Sequence, residues 1–214
     1  MSRPAIVFDL DGTLVDSLPD IVASFRHAFD EVGLEAPSEA SVRSEVGLPL
    51  EAMYARFAPE AAVPALAEAY RRHYPSHFAD RSRPFPGVPA LLATLRERGY
   101  ALAVATTKRT DMATRFVRAM GLEGALDVVQ GTDGFPHKPA PDVVLRALEA
   151  LGSEGRWMVG DTTHDIGAGK AAGLRTFAVT WGTHDATRLR ASGADVVADD
   201  LVELLRHIEP TRRV

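Results

Sequence analysis

The 214-residue sequence contains no cysteine. Disulfides, thiolate metal sites and cysteine nucleophiles are excluded with it, whatever the compartment. Lysine is scarce as well, and Lys108, Lys138 and Lys170 are the only three. No apolar run approaches the roughly 20 residues that span a bilayer. The net charge of −5 leaves no basic surplus for nucleic acid or an anionic membrane, so neither is expected as a partner. Met1 leads almost directly into an apolar segment without the basic region, apolar stretch and cleavage site of a secretory leader, and a cytoplasmic location is the expectation. What is present is ordinary for a globular chain: 46% apolar and 25% charged residues. That is enough for one substantial core, or one core with a small satellite.

Charge is distributed less evenly than the total suggests. The stretch "IVFDLDGTLVDS" at 6–17 reads as a buried strand that ends in Asp9, Asp11 and Asp16. If the strand continues, Asp9 and Asp11 share a face. Two carboxylates held close need either a shared proton or a cation.

Periodicity then gives the frame. Short apolar runs predict strands at Ala5 to Phe8, Leu102 to Ala105, Leu126 to Val129, Trp157 to Val159, Thr176 to Val179 and Asp195 to Ala198. Helical patterns lie between them, over 88–98, 111–120 and 141–151, with Gly99 and Gly121 as stops. Strands alternating with helices predict an α/β fold, a doubly wound parallel sheet of Rossmann-like form. One interval breaks the rhythm. Between the first two strands lie helical patterns at about 19–33, Leu50 to Phe57 and Ala61 to Phe78, closed by the breaker "RSRPFPG" at 81–87. The expected organisation is 1–15 and 85–214 as the core, with 16–84 as a small helical domain inserted after the first strand, hinged near Asp16 and Arg81 to Pro86.

Ligands of open parallel sheets collect at the carboxyl ends of the strands. Those ends carry Asp9 and Asp11, then Thr106, Thr107 and Lys108, then Lys138 in "HKPAPD", and finally Asp161 and Asp165 in "VGDTTHD". Acids, hydroxyls and a lysine in one place suit phosphoryl transfer. A carboxylate can attack phosphorus, and a second can serve as acid and then base. An anionic substrate among carboxylates calls for a hard divalent cation, usually Mg²⁺. Asp9 and Asp161 are the expected direct ligands, with Asp165 close by. Lys138 and a threonine hydroxyl are expected to hold the phosphate oxygens. Gly12 permits a sharp turn and offers an amide to the phosphate.

"DLDGT" at 9–13, the threonine closing "LAVAT" at 106, "KP" at 138–139 and "GDTTHD" at 160–165 resemble the four ordered motifs of the haloacid dehalogenase superfamily. The resemblance covers nearly the whole chain, because the insertion is similar to that superfamily's helical C1 cap. "DSLPDI", "KPAPD", "AGKAAG" and "WGTHD…GAD" are similar to neighbourhoods of the phosphoglycolate phosphatases. The resemblance implies Asp9 as nucleophile and metal ligand, and Asp11 as general acid/base whose main-chain carbonyl also faces the metal. It implies Thr106 and Lys138 as phosphate binders, Thr107 as a backbone contact, and Asp161 with Asp165 in the Mg²⁺ site. The implied substrate is a small phosphomonoester such as 2-phosphoglycolate.

Sister reactions can be weighed on particular residues. Asp11 favours phosphoryl chemistry over dehalogenation, and residues 16–84 hold no lysine for the Schiff base of a phosphonoacetaldehyde hydrolase. A β-phosphoglucomutase-type enzyme tends to show Ser-Arg where "EVGLPLEAM" has Pro49 and Leu50. A receiver-type signalling module places its acceptor aspartate after a middle strand and lacks the insertion. Lys108 reads equally as a site residue or a surface charge; Arg43, Arg56 and Arg72 could recognise an anionic leaving group but read first as a solvated face, and the large apolar residues of the insertion read as core. Oligomeric state is not legible.

Overall fold

A computed structural model describes residues 3–208. Its main sheet has six strands in the order β5-β4-β1-β6-β7-β8, every neighbouring pair parallel. The strands are β1 (Pro4–Phe8), β4 (Ala101–Ala105), β5 (Val128–Gln130), β6 (Glu154–Gly160), β7 (Arg175–Val179) and β8 (Val196–Ala198). The chain runs outward from β1 through β4 to β5, then returns to β6 on the other side of β1. That reversal opens a crevice at the carboxyl ends of β1 and β6.

Alternation along the strands builds two cores. Ile6 and Phe8 of β1 pack with α5 (Val88–Glu97), Phe116 of α6 (Thr110–Ala119), Trp157 and Phe177 on one face. Val7 and Met158 pack with α7 (Asp142–Leu151) and α8 (Thr163–Ala171) on the other. Buried from both sides, the central strands are continuous apolar runs, as parallel sheets require. Two short helices, α9 (Ala186–Ala191) and α10 (Leu204–His207), complete the flanks.

Two strands differ from the sequence expectation by more than one residue at an end. β5 begins at Val128, because Asp127 turns its carboxylate onto the Leu102 amide at 2.9 Å. β6 starts at Glu154 because its early residues pair with Pro4 and Ala5 across a bulge.

The interval 17–82 folds as four helices around a third core. α1 (Leu18–Val32) opens with Pro19 in its first turn and closes on Gly33 in the left-handed region. α2 (Glu39–Arg43), too short to show a period, is capped by the Ser38 hydroxyl. α3 (Leu50–Tyr54) lays Tyr54 flat on Phe25, ring centroids 4.0 Å apart. α4 (Val63–His77) packs its Leu66 and Ala67 into the same cluster. Each fully buried aromatic there contributes about 2 to 3 kcal/mol of burial.

Both joints of this helical unit meet in a two-stranded antiparallel ribbon. β2 (Val15–Asp16) pairs with β3 (Arg83–Pro84), Val15 opposite Pro84, and the Phe85 amide extends it by donating to the Leu14 carbonyl. Asp20, 2% exposed on α1, secures the returning chain. Its carboxylate accepts from the Arg81 and Ser82 amides at 2.9 and 2.8 Å and from the Ser82 hydroxyl at 2.7 Å. Burial raises the pKa of that carboxyl, but the Ser82 hydroxyl and the two amides outweigh it and hold the group below its ordinary value.

Candidate active site

Asp9 follows the last residue of β1, its amide held by the Val159 carbonyl of β6 at 2.8 Å. Lys138, buried beside it, donates to Asp9 Oδ1 and Asp165 Oδ1, both at 2.7 Å. Asp165 has a second duty: its Oδ2 accepts from the amide and hydroxyl of Thr162, which caps α8 in return. Asp161 accepts from the Thr13 hydroxyl at 2.9 Å and the Thr183 amide at 2.7 Å.

Carboxylate oxygens of Asp9, Asp161 and Asp165 lie within 4.8 Å of one another. Burial, with the charge of Asp165, pushes Asp161 up to about 7. Asp9 is driven well above the carboxylate range, first by burial, against the pull of Lys138 and with the repulsion of Asp165, Asp161 and Asp11. Burial alone would lower Lys138, but Asp165 and Asp9 together raise it.

Asp11 has partners of its own. The strand ends at Phe8, yet Asp9 and Asp11 still face the same cavity. The Asp11 carboxylate accepts from the Ser17 hydroxyl at 2.5 Å and Lys108 Nζ at 2.6 Å. Lys108 is therefore not a surface charge. Its side chain is 11% exposed, with the ammonium 5.1 and 5.2 Å from the Tyr74 and Phe116 ring centroids. The two carboxylates after the first strand thus each have their own lysine.

Four acids share this crevice with two lysines, Lys108 and Lys138, a deficit of two positive charges. An all-oxygen donor set with that deficit fits a hard divalent cation. Asp9, Asp161 and Asp165 are the side chains positioned to hold it.

Thr106 is buried at the end of β4, its hydroxyl accepting from the Lys108 amide at 3.3 Å. Thr107 reaches the cavity wall. Gly12 departs from expectation. Its φ of +80° suits the turn, and a Cβ there would stand 2.5 Å from Asp161 Oδ2. Its amide, however, is taken by the Val15 carbonyl at 2.9 Å and does not face a ligand.

Several contributors carry no sequence pattern of their own. His184 accepts from the Thr163 amide through Nδ1 at 2.9 Å, and burial pushes its pKa down to about 4, so the ring is a neutral acceptor. Gly131 packs so closely on the main chain of Lys108 to Thr110 that a Cβ would collide with it.

Above the acids, between the sheet edge and the helices of 17–82, lies a cavity of about 430 Å³. Asp9, Asp11, Lys108, Lys138 and Asp165 line it from the sheet side, and Ile21, Phe25, Leu50, Met53 and Tyr74 from the other. Phe25 and Met53 are thus cavity wall as well as core. Arg56 and Arg72 are exposed and paired with glutamates, while neighbouring Arg71 lines the cavity.

Residues 6–179 match the sequence profile described as haloacid dehalogenase-like hydrolase. The chain is 35% identical over 180 residues to a phosphoglycolate phosphatase of Aquifex aeolicus, covering 83% of this chain and 84% of that one. It is 33% identical over 208 residues to the pyrophosphatase PpaX of Halalkalibacterium halodurans, covering 96% of each. A solved haloacid dehalogenase-like hydrolase from Streptococcus pneumoniae superimposes with a TM-score of 0.89 at 29% identity, over 97% of this chain and 99% of that one.

Proposed function

Because the chain belongs to the haloacid dehalogenase-like hydrolases and is a phosphoric monoester hydrolase, we propose that it is Mg²⁺-dependent and works through an aspartyl phosphate on Asp9. The observation that carries this reading is the division of charge: Asp9 on the cavity floor with Lys138, and Asp11 beside it with Lys108. One carboxylate serves as nucleophile and the other as proton carrier, each oriented by a separate cation.

Asp9 attacks phosphorus, and the alkoxide departs with a proton from Asp11. Asp11 then draws a proton from the water that cleaves the acyl phosphate. Ser17 and Lys108 keep its carboxylate aimed at the cavity through both steps. Lys138 and the Thr106 hydroxyl hold the non-bridging oxygens and offset the charge that builds on them. Asp9, Asp161 and Asp165, with the Asp11 main-chain carbonyl, would hold Mg²⁺, which would supply charge to screen the phosphate from the carboxylates.

Residues 16–84 act as a cap that excludes bulk water until the aspartyl phosphate has formed, with the β2–β3 ribbon as its hinge. Among small soluble esters, 2-phosphoglycolate is the one the resemblance implies. The test is phosphate release from a panel of phosphomonoesters with and without Mg²⁺. Metal-dependent release is expected; release that survives exhaustive chelation would overturn the metal assignment.

A further inference from the structure

Away from the cavity, an exposed side of the helical unit carries three histidines in one column. His73 and His77 stand one turn apart on α4, and His27 faces them from α1. Their rings are stacked, His27 on His73 with centroids 3.9 Å apart and His73 on His77 at 4.0 Å. None of the three lines the cavity.

Each ring keeps a nitrogen in reserve. His77 Nδ1 is 2.9 Å from the Asp80 carboxylate. An ionised carboxylate only accepts, so Nδ1–H donates there and the neutral ring leaves Nε2 bare. His73 Nδ1 lies 3.0 Å from the hydroxyl of Ser24, buried on α1, and among the described residues its Nε2 has no partner. His27 Nε2 is 3.7 Å from Glu31, whose carboxylate Arg72 already holds. Burial, with His27 and His77 on either side, lowers the pKa of His73 and keeps the middle ring neutral.

An imidazole fixed through one nitrogen by a carboxylate or hydroxyl, with the other nitrogen free, is the form in which proteins present histidine to a metal. Residues at i and i+4 share a helix face, so His73 and His77 offer two such nitrogens side by side. Imidazole suits Zn²⁺, Ni²⁺ and Cu²⁺, whereas Mg²⁺ keeps to oxygen.

We infer that His73 and His77, joined by His27, form a metal site separate from the acids of the crevice, for a borderline divalent ion such as Zn²⁺, Ni²⁺ or Cu²⁺, bridging α1 and α4. The stacked rings must turn their Nε2 atoms toward one point. That rotation is open to them, because the His27 and His77 side chains are 44% and 47% exposed. An ion that ties the two long helices together binds the folded unit and stabilises it.

The experiment adds Cu²⁺ or Ni²⁺ to the full chain with Mg²⁺ in large excess to occupy the acids. Electron paramagnetic resonance of bound Cu²⁺ should show splitting from at least two imidazole nitrogens; a spectrum of oxygen ligands alone overturns the inference. Ni²⁺ at a hundredfold excess over its Kd should raise Tm by about 5 to 10 °C, and no rise overturns it too. His77→Gln, at an exposed position, should weaken Cu²⁺ binding at least about tenfold, since even the groups that support a metal-bound histidine are worth that much. His73→Gln should do the same, with its Tm in the absence of metal showing that the fold is kept. Unchanged affinity in both variants would refute the site. His27→Gln should weaken binding by a smaller factor, and full retention would remove His27 from it.

Discussion

Replacing Asp20 with alanine tests whether one buried carboxylate holds the returning end of the helical unit. The substitution removes the acceptor for the Arg81 and Ser82 amides and the Ser82 hydroxyl. The hydroxyl keeps a second acceptor, the Phe78 carbonyl at 2.9 Å, so the two amides are the groups left unmet. At about 1 to 3 kcal/mol for each unsatisfied buried donor, the loss is about 3 to 4 kcal/mol. The exposed Arg81 guanidinium adds little. For a chain of this length each kcal/mol lowers Tm by about 2 to 4 °C, which puts the expected drop at roughly 10 °C in a calorimetric scan at pH 7. Asp20→Asn keeps an acceptor oxygen and should lose less than half as much. The pH dependence has a definite sign, because the folded carboxyl titrates below its unfolded value. Its stabilisation is fully present above the unfolded value of about 3.9 and is lost as pH falls through the lower folded one. The gap between wild type and Asp20→Asn should therefore narrow below pH 4. A Tm for Asp20→Ala within 2 °C of wild type, or a gap unchanged from pH 7 to pH 3, would refute the reasoning.

Asp9→Asn should abolish turnover, since an amide is a poor nucleophile, and appreciable phosphate release would remove Asp9 from that role. Asp11→Asn should leave substrate binding nearly intact while slowing formation and hydrolysis of the aspartyl phosphate by about 10²-fold or more; single-turnover kinetics with wild-type rates would contradict its acid/base part. Lys108→Met keeps the stem packed between Tyr74 and Phe116 but frees Asp11, and kcat should fall by about tenfold to a hundredfold with KM little changed. An unaltered kcat would show that Ser17 alone positions Asp11. Gly131→Ala places a methyl against the Lys108 to Thr110 main chain, costing about 1 to 3 kcal/mol and lowering kcat through the displaced Lys108. A variant with wild-type Tm and kcat would mean that the loop yields without consequence.

The strands were legible because a sheet buried on both faces writes continuous apolar runs, as in "AIVF" and "LAVA". The helices of 17–82 that exceed two turns were legible from period and breakers, whereas α2 rests on a single serine cap. The acids could be collected at one edge because each follows a strand, a relation that topology alone supplies. Lys108 and Asp20 could not be read this way. Each is partnered across at least 61 residues, and neither a charged residue in a loop nor one in the first turn of a helix has a period to announce its burial. The same holds for Gly12, whose amide finds Val15 only when the loop closes on itself.

The β2–β3 ribbon sets the two crossings of the chain side by side, Val15 against Pro84. A segment whose ends already touch asks nothing of the sheet beneath it, because its removal or lengthening changes no strand order and no distance the core must span. The helical unit is in that sense an interchangeable part. Another helical insert with adjacent ends that kept Ser17 on Asp11 could be grafted there while Asp9, Lys138 and Asp161 stay where the core puts them. Selectivity and chemistry can then diverge on separate stretches of one chain.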